Sequence, residues 1–118
     1  MSPDEFFGDH ALSKTLYEAV HHELEAIGEM SMRVSKSQIA FRRRRGFAWV
    51  WMPGQYRGGR GAPLVLTVSL PYRDASPRWK EIVEPAPERY IHHLELDDPA
   101  QIDDEVREWL RLAWDLAG

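Results

Sequence analysis

The stretch from Phe47 to Leu70, FAWVWMPGQYRGGRGAPLVLTVSL, decides the fold. Both ends of this stretch are apolar and rich in β-branched and aromatic residues, and side chains on a strand alternate between two faces. We therefore expect strands over Phe47–Met52 and Leu64–Leu70. The glycines and prolines of residues 53–63 predict a hairpin loop between them, and this loop lacks the Gly-Lys-Ser/Thr ending of a phosphate-binding loop.

The two-residue period continues on both sides of this hairpin and predicts three further strands. These are Met32–Ser35, Gln38–Arg43 and Arg89–Leu96. The intervening segment, Pro71–Pro87, contains several prolines, which argue against a central strand because proline cannot donate a backbone hydrogen bond. We expect an irregular excursion there, with one helical turn over Arg78–Val83.

Two segments outside the strands show helical periodicity. Apolar residues recur at three- and four-residue steps over Ala11–Ile27 and over Pro99–Leu116, with Asp98 as the expected N-cap of the second helix. Residues 1–9 are expected to be a loose lead-in, and residues 10–118 a single domain. The order of elements predicts an α+β fold: a helix, a five-stranded mainly antiparallel sheet and a helix, with both helices packed on one sheet face. Periodicity leaves open which face carries Trp49 and Trp51.

Charge is distributed unevenly along the chain. The 118 residues carry a formal net charge of −4, yet residues 31–73 contain nine Lys/Arg and no Asp or Glu, whereas the flanking segments are acidic. We expect part of this segregation to be internal, with acidic helix surfaces around a basic sheet. A run of four arginines, Arg42–Arg45, is the strongest basic feature, and it could also hold a phosphate or carboxylate.

Composition excludes several classes of protein. The chain has no cysteine, which excludes disulfides, cysteine-ligated zinc and thiol catalysis. No apolar run is long enough for a transmembrane helix, and the acidic N-terminus does not resemble a signal peptide. We therefore expect a cytoplasmic protein without membrane association. No motif assigns a catalytic residue, and the adjacent histidines of each His-His pair point in different directions, so no metal site and no cofactor are predicted.

Several motifs together resemble a bacterial family of unknown function, DUF family 5655, over about His10 to Ala117. They are Ser35–Arg42, Gly46–Trp51, Trp79–Glu81, Val83–Pro85, His92–Leu96 and Asp104–Leu110. The resemblance implies a small α+β domain and supplies no activity, substrate or catalytic residue. Combining its signature positions with the basic run, we select nine candidate ligand-binding residues: Lys36, Gln38, Arg42, Arg44, Trp49, Trp51, Trp79, His92 and His93.

Three functional hypotheses follow from these observations. The first is a binding or interaction domain without catalytic activity, which self-associates as a homodimer through the uncovered sheet face or its edge, since a wet tryptophan-bearing face is costly. The second is a pocket for a small anionic ligand between the sheet, the 53–63 loop and the 72–88 segment. The third is nucleic-acid binding by the basic central sheet, which the net negative charge disfavours.

Overall fold

The computed structural model describes residues 1–55 and 61–118, which fold as a sheet with helices packed against it. We number the helices and strands in chain order. The helices are α1 (Pro3–Phe7), α2 (Ala11–Ile27) and α3 (Asp104–Leu116); the strands are β1 (Ser31–Val34), β2 (Ile39–Arg42), β3 (Gly46–Trp51), β4 (Leu64–Leu70), β5 (Glu81–Ala86) and β6 (Arg89–Leu96). Short 3₁₀ turns occupy Pro53–Gln55 and Pro99–Gln101.

The six strands form one antiparallel sheet in the order β1-β2-β3-β4-β6-β5. The predicted fold class is confirmed, although the strand count is six instead of five. The additional strand is β5, and the helical turn expected over Arg78–Val83 is wrong, because Glu81–Val83 pairs with β6 instead. The prolines of this segment are tolerated because β5 lies at the sheet edge.

All three helices contribute to one core on one face of the sheet. On β3 this face carries Ala48 and Val50, which are fully buried, and the fully buried Leu66 and Val68 of β4 lie opposite them. Side chains alternate along each strand, so Trp49 and Trp51 lie on the other face. We call that other face the open face. The structure thus settles the orientation that periodicity left undecided.

The N-terminal segment differs from the loose lead-in expected for residues 1–9. Ser2 and Glu5 form a capping box that starts α1, with each side chain bonded to the other residue's backbone N–H. Phe6 and Phe7 are buried in the core, and Phe7 packs beside Tyr17 of α2. The sequence of this segment is acidic and shows no helical period. Burial of the two aromatic rings is what holds it against the core.

The last helix begins later than the sequence indicated. Asp98 forms the predicted capping box with Gln101, but that box closes the 3₁₀ turn Pro99–Gln101. A second acidic cap, Asp103, then starts α3 by accepting a hydrogen bond from the N–H of Val106. The helix α3 therefore begins later than predicted because a second N-cap aspartate, Asp103, follows Asp98 in the chain.

Candidate functional site

The centre of the open face is a row of side chains that crosses the whole sheet. The register pairs Arg33 with Ala40, Ala40 with Trp49, Trp49 with Thr67, Thr67 with His93, and His93 with Glu81. Because directly paired residues place their side chains on the same face, this row joins a cation, an indole, a hydroxyl, an imidazole and a carboxylate.

A hydrogen-bonded chain links three residues of this face. The indole Nε1–H of Trp51 donates to the hydroxyl of Thr67 at 2.9 Å, and that hydroxyl lies 2.8 Å from Nδ1 of His93. The His93 ring also meets the Trp51 ring edge to face, with centroids 5.9 Å apart. Burial lowers the pKa of His93, and the nearby Glu81 carboxylate only partly opposes this effect. The imidazole is therefore held neutral in a fixed orientation at neutral pH.

Trp49 rests on a glycine at the start of the same strand. A Cβ atom on Gly46 would lie 2.9 Å from Cζ2 of Trp49 and 3.4 Å from a guanidinium nitrogen of Arg42. The pairing of β2 with β3 is irregular between Phe41 and Arg42, where Arg42 pairs with Gly46. The absence of a side chain at Gly46 thus lets the indole lie against the backbone, next to the Arg42 guanidinium.

A cavity of about 490 Å³ lies on the open face between these groups. Its lining residues are Ser37, Gln38, Trp49, Trp51, Thr67, Arg89, Ile91 and His93. Within the part of the chain that the structure describes, the Gln38 amide, the Arg89 guanidinium and Nε2 of His93 make no hydrogen bond or ion pair. Two indoles thus share a cavity with three polar groups that are available to a ligand.

The basic residues of the open face are not neutralised by the acidic helices. Among residues 1–55 and 61–118, the ion pairs of Lys and Arg involve only Lys14, Arg78, Arg107 and Arg111. Among the described residues, the expected complementarity between the basic sheet and the acidic helices is therefore not made by ion pairs of the sheet arginines. The carboxylates on the open face itself are those of Glu81 and Glu95, on the β5–β6 side of the sheet.

Two arginines of the run after β2 instead bind the end of α3. Arg43 donates to the carbonyl of Trp114 at 2.9 Å, with its guanidinium 3.7 Å from the centroid of that indole. Arg45 donates to the carbonyl of Leu116 at 2.8 Å. The C-terminus of a helix carries unsatisfied carbonyls and a partial negative charge, so these cations fit it without any carboxylate.

Two of the nine candidate residues, Trp79 and His92, lie in the core, away from the open face. His92 is fully buried; its Nε2 accepts a hydrogen bond from the N–H of Asp74, so Nδ1 carries the proton and donates to the carbonyl of Tyr90. Trp79 stacks obliquely on His92 and Trp109 and donates its indole N–H to the Asp74 carboxylate. Burial lowers the pKa of His92.

The other candidates are divided between the open face and the turns. Gln38, Trp49, Trp51 and His93 line the cavity, and Arg42 adjoins Trp49. Lys36 is exposed in the β1–β2 turn, and Arg44 is exposed in the next turn, where its backbone N–H donates to the carbonyl of Ala117. The arginines predicted to lie on the 53–63 loop, Arg57 and Arg60, are outside the described residues.

Sequence reasoning missed four residues of the cavity: Ser37, Thr67, Arg89 and Ile91. The last three alternate with core residues on β4 or β6, so the two-residue period does predict their face. Which residues meet across strands depends on the register and on which strand lies beside β4. The alternation of apolar residues shows neither of these.

A second hollow of about 400 Å³ lies at the end of the sheet, between the β5–β6 turn and the end of α3. Its wall shares Arg89 with the cavity of the open face, but its Arg45 is already bonded to a helix carbonyl, and Glu88 adds a carboxylate. The open face therefore offers an anion more than this hollow does. In the described ranges 1–55 and 61–118, no three His, Asp or Glu residues are grouped to hold a metal, and no helix is long and apolar enough to cross a bilayer.

Comparison with known proteins identifies a family. A family model described as "Domain of unknown function (DUF5655)" matches residues 4–117. No curated protein and no solved structure matches the chain.

Proposed function

The chain belongs to the DUF5655 family, whose description assigns no function, and we propose from the geometry of the open face that it is a binding domain for a small anionic ligand. One observation carries the proposal. Two indoles line one cavity of about 490 Å³ together with the polar groups of Gln38, His93 Nε2 and Arg89, which make no hydrogen bond or ion pair with residues 1–55 or 61–118. Ligand pockets typically have volumes of about 300–1,000 Å³ with few polar anchors.

The charge of the open face favours an anion over a neutral or cationic ligand. Arg33, Arg42 and Arg89 lie on this face and make no ion pair with any described residue. A guanidinium binds carboxylate or phosphate through two parallel hydrogen bonds, and partial burial beside an indole strengthens such a contact. An uncharged ligand would use only the indoles and the two neutral polar groups.

Titration of the ¹⁵N-labelled protein with small anions tests this proposal. The probes are inorganic phosphate, citrate, benzoate and phenyl phosphate, with benzamide as an uncharged match for benzoate. We expect chemical-shift changes on β3, β4 and β6 for at least one anion. If no anion perturbs these strands, or if benzamide binds as well as benzoate, the proposal is wrong.

Substitution of Arg89 identifies the cation that carries the binding. Loss of a hydrogen bond to a charged group costs about 1.5–3 kcal/mol, so Arg89→Gln should weaken anion binding by roughly 10- to 100-fold. Arg111→Gln is the matched control, because it makes the same charge change on α3, behind the core. Equal losses in the two variants would indicate nonspecific electrostatic attraction and contradict the proposal.

Self-association through the open face remains a separate prediction. A dimer formed there would cover Trp49 and Trp51 and would compete with the ligand. Sedimentation of the free protein, and of the protein saturated with an anion that binds, distinguishes the two uses of the face, because a dimer that persists at saturation cannot be held together by the ligand cavity.

A further inference from the structure

We infer, on the premise of the proposed function, that the ligand joins a planar heteroaromatic ring to a phosphate through a spacer, as a nucleoside monophosphate does. The argument depends on where the aromatic, polar and cationic groups lie along the open face. The cavity is bounded by Trp49 and Trp51 on β3 and by Arg89, Ile91 and His93 on β6.

The indoles provide the stacking surface for a ring. Trp49 and Trp51 are two residues apart on one strand, so they project from the same face with their Cα atoms about 7 Å apart and both line the cavity. Both indoles are partly exposed, and each is held in place, Trp49 against Gly46 and Trp51 by its hydrogen bond to Thr67. Fixed aromatic side chains bind planar ligands at little entropic cost.

The polar groups beside the indoles suit the edge of a nitrogen heterocycle. The Gln38 amide offers a donor and an acceptor. Nε2 of His93 can be either one, because the Thr67 hydroxyl can donate to Nδ1 or accept from it. Ring nitrogens and exocyclic amino or carbonyl groups need such partners, whereas a hydrocarbon ring would leave both unsatisfied.

Arg89 lies further along the cavity than the groups beside the indoles. Arg89 and His93 are four residues apart on β6, so their Cα atoms are about 13 Å apart, with Ile91 between them. A ligand that contacts His93, Ile91 and Arg89 together is therefore extended, with a spacer between its ring and its anionic group. A compact aromatic acid on Trp49 would use Arg42 instead. A pentose between ring and phosphate supplies the required spacing and an apolar contact for Ile91.

The cavity favours a mononucleotide over a nucleic-acid strand. Its volume suits one small molecule, and the carboxylates of Glu81 and Glu95 lie on the β5–β6 side, where they would repel a polyanion that continued across the sheet. The sheet surface that was predicted to be basic therefore also carries carboxylates. This favours a single nucleotide over a polynucleotide as the ligand.

Calorimetry with matched fragments tests the inference. The probes are the four common 5′-nucleoside monophosphates, ribose 5-phosphate and the four nucleosides. We expect at least one monophosphate to bind at least about tenfold more tightly than ribose 5-phosphate, which lacks the stacking base, and than its own nucleoside, which lacks the phosphate. Trp49→Leu should remove the advantage over ribose 5-phosphate, and Trp49→Phe should retain part of it.

The other outcomes separate this inference from the proposed function. If ribose 5-phosphate binds as tightly as the monophosphates, the ring is not recognised and the inference is wrong, although an anion site remains. Binding of single-stranded oligonucleotides without any monophosphate binding would overturn it in favour of a nucleic-acid surface. If neither these probes nor the simple anions bind the open face, both proposals fail. Far-UV circular dichroism of each Trp49 variant establishes that it is folded.

Discussion

Replacing His92 with phenylalanine should destabilise the protein by about 2–4 kcal/mol at neutral pH, because the hydrogen-bond partners of a buried ring would be left unsatisfied. The imidazole is fully buried and accepts the Asp74 N–H at 3.0 Å while its Nδ1 lies 3.0 Å from the carbonyl of Tyr90. Phenylalanine keeps the contact with Trp79, but it can hydrogen-bond neither the Asp74 N–H nor the Tyr90 carbonyl. A domain of this size is stable by about 5–15 kcal/mol, so the variant should still fold.

The same histidine should make the wild-type stability depend on pH. Burial lowers the pKa of His92 in the folded state, while the unfolded chain titrates near the ordinary value of 6.5. The unfolded state therefore binds more protons, and the free energy of unfolding falls as the pH drops below about 6.5, until the folded-state pKa is passed. His93 adds an effect of the same sign. The His92→Phe variant should therefore lose the part of the pH dependence of stability that His92 causes.

Urea denaturation at about pH 7.5 and about pH 5.5, followed by circular dichroism, measures both effects in one series. His22→Ala is the control, since His22 is exposed on α2, outside the core. If His92→Phe retains the full wild-type pH dependence, or costs less than about 1 kcal/mol, then the hydrogen bonds of the buried imidazole do not stabilise this core as argued.

Three further substitutions test other parts of the structure. Gly46→Ala should push the Trp49 indole away from the backbone and weaken nucleoside monophosphate binding by about three- to tenfold in calorimetry, with little change in stability. Arg43→Ala should lower the free energy of unfolding in urea by about 1 kcal/mol, because it removes a cation from the C-terminus of α3 and from the Trp114 indole. Arg44→Ala removes no such side-chain contact and should leave the free energy of unfolding unchanged. Glu88→Gly should raise the melting temperature, since Glu88 has a φ of 59° and relief of that strain is worth about 0.5–1 kcal/mol; an unchanged or lower value would contradict this reasoning.

The elements with strong periodicity were predictable from the sequence. The bounds of α2, β4 and β6 are as expected, because each has a clear apolar period and because a glycine or proline borders α2 and β4. β5 was not predictable because Pro85 interrupts the pattern, and only its edge position in the sheet makes that acceptable. The helix α1 is too short to show a period, and burial of Phe6 and Phe7 is what fixes it.

The candidate site was predictable only in part. Alternation separates His92 from His93 and predicts that one of them faces the helices, and the structure assigns that position to His92. The direction of Trp79 could not be inferred, because a lone tryptophan in an irregular segment has no period. Thr67 was missed because its importance lies in two cross-strand contacts, and a single strand does not reveal its partners.

The order of the strands also has a consequence for the folding pathway. Because β4 pairs with β6 and β6 with β5, the strand that follows β4 in the chain cannot join the sheet until β6 has done so. The β5–β6 hairpin closes through residues 87–88, between the paired Ala86 and Arg89, which is a local and rapid step. Its docking on β4 closes the longer 71–88 segment and should follow more slowly. The cavity of the open face spans this β4–β6 junction, so it is completed only when the hairpin docks.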